Sequence, residues 1–222
     1  MFKIKKLVKL LKEISLIKFI YYNFFFSSVK REKGCWLIPN KNSVISINKN
    51  SKLILHDNLL LNGHRLKGSK VESYLVLREN SVMNVNGFVY LYYNTTIQVH
   101  KNAQLDIGKS RINSDSVIIV AKKIEIKNGF RTGRNVFIFD SDHHPIYDSK
   151  GHRINEPKEI VINEDVWLGL KSTITKGVTI GKGSVIGAHS LINRDVPPGV
   201  IMGSPRAEIV KENILYSYNS NK

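Results

Sequence analysis

Residues 162–196 read INEDVWLGLKSTITKGVTIGKGSVIGAHSLINRDV, and an aliphatic side chain recurs there at every sixth position: Ile162, Leu168, Ile174, Ile180, Ile186 and Ile192. Four residues after each stands a small or branched one: Val166, Ser172, Val178, Ser184, Ser190 and Val196. Gly169, Gly181 and Gly187 directly follow three of the aliphatics. Such a period fits neither a helix nor a plain alternating strand. It fits a chain wound into coils of short straight rungs, each sending one aliphatic to the axis, which is the signature of a parallel β-helix.

Towards the N-terminus the rhythm is ragged but present. Ile45, Ile47, Leu53 and Leu55 alternate with polar residues, as do Leu75, Leu77, Met83, Val99, Leu105, Val117, Ile119, Ile124 and Ile126. Corners such as Lys49-Asn50, Glu79-Asn80, Lys101-Asn102 and Asn128-Gly129 carry the residues that tolerate left-handed backbone angles. Asn62–Arg65 and Tyr90–Asn94 read as wider corners or small protrusions. Over 130–157 the rhythm stops, and the polar, His-rich segment is expected to be a functional insertion. Pro197-Pro198-Gly199 ends the coils, followed by a turn at Gly203–Arg206 and a short helix from Ala207 to Leu215. The division expected is a helical segment over 1–33, a β-helix over 34–200 and a C-terminal turn, helix and tail over 201–222.

The chain has 222 residues and an ordinary hydrophobic fraction of 42%, enough for one cored domain. Its formal charge of +16 points to acidic partners, yet no nucleic-acid-binding motif accompanies it, so none is expected to be bound. Cys35 is the single cysteine, which excludes an internal disulfide and a cysteine metal cluster and suits a cytoplasmic location. The N-terminal run MFKIKKLVKLLKEISLIKFIYYNFFF is too charged to span a bilayer, and lysines interrupt any signal-peptide core. It reads either as a basic amphipathic helix in peripheral contact with an anionic membrane or as a cap over the open end of the coils; the cap is preferred.

Asp140-Ser141-Asp142-His143-His144-Pro145 is the densest chemical cluster. A histidine beside a carboxylate can act as a general base near neutral pH, and the same groups could ligate a metal. Adjacent histidines in an extended segment point apart, which speaks against a shared ion. His56, His64, His100, His152 and His189 show no partner pattern.

The DSDHHPI segment (140–146), INEDVWLG (162–169), the hexapeptide coils and the closing VPPGVIMGSPRAEIV (196–210) resemble the left-handed β-helix acetyltransferases. Among them the chain is most similar to sugar O-acetyltransferases of surface-polysaccharide biosynthesis, relatives of the galactoside and maltose enzymes. The resemblance is specific from Phe137 to Val210 and looser from Ile38 to Gly129. It implies a left-handed all-β helix, a homotrimer with clefts between subunits, and acetyl-CoA as donor with no metal. It implies His144, before Pro145, as general base, with His143 as second choice and Asp140 and Asp142 orienting the imidazole. Trp167, Gly169 and Ala188 would line the cofactor groove, with Arg194 and Arg206 near its phosphates. An N-acetyltransferase on an amino-sugar nucleotide and a non-catalytic carbohydrate-binding β-helix are the alternatives.

Overall fold

In the computed structural model of the chain, residues 13–204 are described. They form a three-sided prism of stacked coils, its walls being parallel sheets of seven, eight and seven strands. The first sheet runs from Val29–Arg31 to Thr179–Ile180, the second from Leu37–Pro39 to Ile201–Met202, and the third from Ser43–Ile47 to Leu191–Ile192. Each coil passes from first to second to third sheet, and the winding is left-handed.

The hexad residues are the core. Ile162, Leu168, Ile174, Ile180 and Ile186 are fully buried, and Ile192 nearly so. The residues four positions on are buried too, Ser172, Ser184 and Ser190 included. Ser172 Oγ is satisfied by the Gly169 carbonyl at 2.8 Å and Ser184 Oγ by the Pro197 carbonyl at 2.7 Å, so their burial leaves no orphaned hydroxyl. Ile162 lies over Ile180, Leu168 over Ile186 and Ile174 over Ile192, one coil being three hexads. Truncating such an inward isoleucine to alanine costs about 2–5 kcal/mol.

A left-handed crossover between parallel strands runs against the usual preference, so the corners must supply the turn. Nearly every coil puts a left-handed residue at the corner between second and third sheets: Asn42, His64, Asn94, Asp115, Asn135, Lys171 and His189. Most are Asn or Asp, the side chains best suited to that conformation. Of the corners predicted from sequence, Asn80, Asn102 and Gly129 adopt positive φ, whereas Lys49 and Asn50 do not.

Three expectations are corrected. Tyr90 and Tyr92 belong to the strand Val89–Tyr92 and not to a corner; only 64–72 forms a wide connection there. The coils also run on past Phe130, through Phe130–Thr132 and Phe137–Phe139, because Phe130, Thr132 and Ile138 point inward as hexad residues do. The insertion therefore begins only at Asp140. Third, Val29–Arg31 already pairs with Lys52–Leu55 in the first sheet, so the coils begin ahead of residue 34, after the helix Leu16–Ile20 and a π-helical turn at Tyr21–Phe25. There the buried Asn23 brackets the edge strand, donating to the Leu37 carbonyl at 2.8 Å and accepting its N–H at 2.9 Å, while Tyr22 and Phe26 pack on the core. This segment covers the open end of the coils. The lysine-rich run over 1–12, Arg206 and the C-terminal helix lie outside the described residues.

Candidate functional site

The insertion occupies the corner between the third and first sheets, from the end of Phe137–Phe139 to the start of Ile160–Ile162. Asp140 fixes its base. The carboxylate is fully buried and accepts the backbone N–H groups of Ala121, Lys122 and Lys123 at 2.6, 2.7 and 2.8 Å, all from the corner one coil earlier. Burial pushes its carboxyl above the usual range, and the three N–H donors pull the other way. The Asp140 carbonyl accepts from Lys158 N at 2.9 Å, closing the two ends of the loop.

Asn155 organises the loop interior. This buried amide donates to Asp142 Oδ2 at 2.9 Å and to the His144 carbonyl at 2.8 Å, and accepts Ile146 N–H at 2.7 Å. Asp142 is also paired with Lys176, which stands on the same corner one coil later. Lys176, then Asn155, hold the Asp142 carboxyl below its ordinary value. Beyond His144 the chain doubles back in a small hairpin, with Ile154 N on the Ile146 carbonyl at 2.9 Å and a bridge between Tyr147 and Arg153.

The two histidines diverge. His143 has a left-handed backbone (φ 63°), and its ring meets Phe139 edge-on at 5.4 Å and His100 at 6.3 Å. His144 is exposed on the loop, its N–H on the Asp142 carbonyl at 2.7 Å and its own carbonyl held by Asn155. Neither imidazole bonds a carboxylate among the described residues: Asp140 is spent on the backbone and Asp142 on Lys176 and Asn155. The expectation that these acids orient the imidazole is corrected accordingly. His100, Asn155 and Lys176 are members of the cluster that sequence reasoning missed. His100 comes from the same corner two coils earlier, and burial foremost, then the charges of His143 and Arg78, push its pKa down. Among the described residues no group of three or more His, Cys, Asp or Glu is placed to hold a metal ion.

The other predicted positions fall on different edges. Trp167 projects from the second sheet, 53% exposed, and Gly169 and exposed Ala188 follow at the second–third corner. Gly169 is small for a packing reason, since a Cβ there would lie 2.7 Å from Ala188 N and from the Ile186 carbonyl. Arg194 is exposed at the third–first corner, on the loop's side. One chain thus places Trp167 and Ala188 on the second sheet and its corner with the third, and His144 on the corner between the third and first sheets.

No family model matches the chain. It is 33% identical over 156 residues to a polysialic acid O-acetyltransferase of Neisseria meningitidis, covering 70% of this chain and 65% of that protein. It is 37% identical over 95 residues to a galactoside O-acetyltransferase of Lactococcus lactis, covering 42% and 45%. The chain therefore spans less than two thirds of the length of each of these relatives. A solved mutant of AntD, an N-acyltransferase from Bacillus cereus in complex with dTDP and coenzyme A, superposes with a TM-score of 0.50 at 13% identity over 87% of this chain and 86% of that one. That likeness is one of fold alone. By its hexads, its coils and these sequence matches, the chain is similar to sugar O-acetyltransferases and to the hexapeptide-repeat, left-handed β-helix acetyltransferases.

Proposed function

We propose that the chain transfers the acetyl group of acetyl-CoA to a hydroxyl of a surface polysaccharide or its precursor, with His144 as general base. The observation that carries this reading is the exposed His144 on a loop whose backbone Asn155 and Asp140 immobilise, in a chain related to named O-acetyltransferases. A sugar hydroxyl is almost wholly protonated at neutral pH. The His144 imidazole takes its proton as the oxygen attacks the thioester carbonyl; the carbon–sulfur bond breaks, and the imidazolium returns the proton to the departing thiolate. Such a base is worth about 10²–10⁴-fold. No covalent enzyme intermediate is needed, because the donor is already activated.

The split between corners supports the trimeric reading. His144 of one copy would face Trp167, Gly169 and Ala188 of a neighbour, with Arg194 and Arg206 available to the donor's phosphates. A cytoplasmic location, with peripheral membrane contact through the basic N-terminal segment, accords with that donor; among the described residues no helix is long and apolar enough to cross a membrane.

The test uses the purified full chain with acetyl-CoA, following thiol release with polysaccharide repeat units and with amino-sugar nucleotides as acceptors. H144A should lose about 10²–10⁴-fold in kcat with an unchanged circular dichroism spectrum, and H143A should retain most activity. Full activity in H144A overturns the assignment of the base, and turnover of amino-sugar nucleotides alone overturns that of the hydroxyl.

A further inference from the structure

The outward face of the second sheet carries a column that meets the proposed donor groove only at its Trp167 end and is otherwise unused by the proposed chemistry. In register, Tyr90 lies beside Arg111, Arg111 beside Arg131, and Arg131 beside Trp167. Their strand neighbours Ser110, Ile112, Phe130 and Thr132 are buried, so these four side chains point outward. Adjacent strands lie about 4.8 Å apart, so the column is about 14 Å long. Like charges directly paired across strands destabilise a sheet, and neither guanidinium has a carboxylate within ion-pair distance among the described residues. The folded chain therefore holds two uncompensated cations side by side between two aromatic rings.

Space accompanies them. A cavity of about 400 Å³ opens beside Arg111 and Arg131, where Lys109 adds a third cation and Asp165 the one carboxylate. On the other side of Tyr90 a second cavity, of about 640 Å³, lies under the 64–72 connection, with Arg65 and Lys67 against the single acid Glu13. His64 stacks on Tyr92 there at 4.8 Å.

We propose that this face binds an acidic oligosaccharide, with sugar carboxylates on the Arg111 and Arg131 guanidinium groups and sugar rings against Tyr90 and Trp167. Paired carboxylates match the planar guanidinium fork, and aromatic faces match the apolar faces of pyranose rings. A column of this length suits a chain of several sugars, not a monosaccharide. That the bound glycan is the acetyl acceptor rests on the function proposed above; the binding itself does not.

The variant W36F leaves Trp167 as the single tryptophan of the chain and keeps a ring in the Phe19–Trp36–Phe24 cluster. Its fluorescence is titrated with hexamers of sialic acid, of galacturonic acid and of maltose. An acidic hexamer should shift the emission saturably and bind more weakly in salt, and maltohexaose should not. Adding R111Q/R131Q should weaken binding about 10- to 100-fold, as loss of charged hydrogen bonds does, with the acetyl-CoA KM and the oligomeric state unchanged. R111K/R131K, which keeps charge without the fork, should recover only part of the loss. Equal binding of maltohexaose, or undiminished binding in R111Q/R131Q, overturns the proposal. So does a raised acetyl-CoA KM or a changed oligomeric state in that variant, which would give the arginines to the donor or to a subunit contact. Acidic hexamers that bind and are never acetylated would leave the site standing and remove the acceptor assignment.

Discussion

The side-chain amide of Asn155 donates to the His144 carbonyl at 2.8 Å and to the Asp142 carboxylate at 2.9 Å, so one buried residue holds both flanks of the His143-His144 pair. N155A removes these bonds and the acceptor for Ile146 N–H, freeing the loop without touching the coils. Misplacing a reacting group by about 1 Å can cost about 10²-fold. N155A should therefore lower kcat by about that factor with little change in the acetyl-CoA KM, and amide exchange should rise over 142–154 and not in the coils. Unchanged exchange in the loop would refute the positioning role.

Asp140 acts one step further from the chemistry. D140A leaves three backbone N–H groups without their acceptor, at a cost of about 3 kcal/mol. For a chain of this size that is a fall of about 6–12 °C in Tm. D140N keeps one oxygen but turns an amide nitrogen towards donors, so it should recover less than half of the loss. A Tm within a degree of wild type in D140A would mean that the coil corner at Ala121–Lys123 does not depend on this carboxylate.

What the sequence shows and hides follows from the physics of the coil. The hexads from Ile162 to Val196 are legible because every inward position there is aliphatic or small. Phe130–Thr132 and Phe137–Phe139 follow the same rule, but Arg131, Gly133, Arg134 and Asn135 fill the outward and corner positions, and the string reads as loop. Asn155 and His100 are illegible for another reason. Their roles arise from the closure of the loop at Asp140 and from the stacking of corners, and neither leaves a spacing in the chain. The separation of Trp167 from His144 becomes legible only once a coil is known to be three rungs, because sheet identity then follows from residue number.

The Asp142–Lys176 pair gives the loop a dependence on acid. Its carboxyl pKa is held below the ordinary 3.8 by Lys176 and Asn155. The contribution is complete above the unfolded value and is lost as pH falls through the lower folded one. The pair is partly exposed and solvent screens it, so global stability should change little. Limited proteolysis within 146–154 should accelerate below about pH 4, and K176M should show that rapid cleavage already at neutral pH. Equal cleavage rates for K176M and wild type at pH 7 would refute the link.

Gly169 separates a packing role from a binding role. A Cβ there meets backbone atoms of the next coil at 2.7 Å, and backbone cannot move aside as a side chain can. G169A should cost about 1–3 kcal/mol through overpacking, and because its Cβ presses on Ala188 N, in the wall of the proposed donor groove, the acetyl-CoA KM should rise together with the fall in Tm. A raised KM at unchanged Tm would assign the glycine to the donor instead.

His100 should make the fold sensitive to mild acid. Burial, the His143 ring at 6.3 Å and the charge of Arg78 lower its pKa from the ordinary 6.5, with Asp140 acting in the opposite sense. Above pH 6.5 the imidazole is neutral in both states and carries no penalty. As pH falls below that value the unfolded chain binds the proton first, so stability declines until the folded pKa is passed and is level thereafter. H100Q, whose amide can still face Gln98, removes this proton uptake. Between pH 7 and pH 5 its Tm should fall less than that of wild type. H143Q removes the second imidazole of the contact and should give an intermediate slope. If the three Tm profiles run parallel, the His100–His143 contact has no part in the acid response.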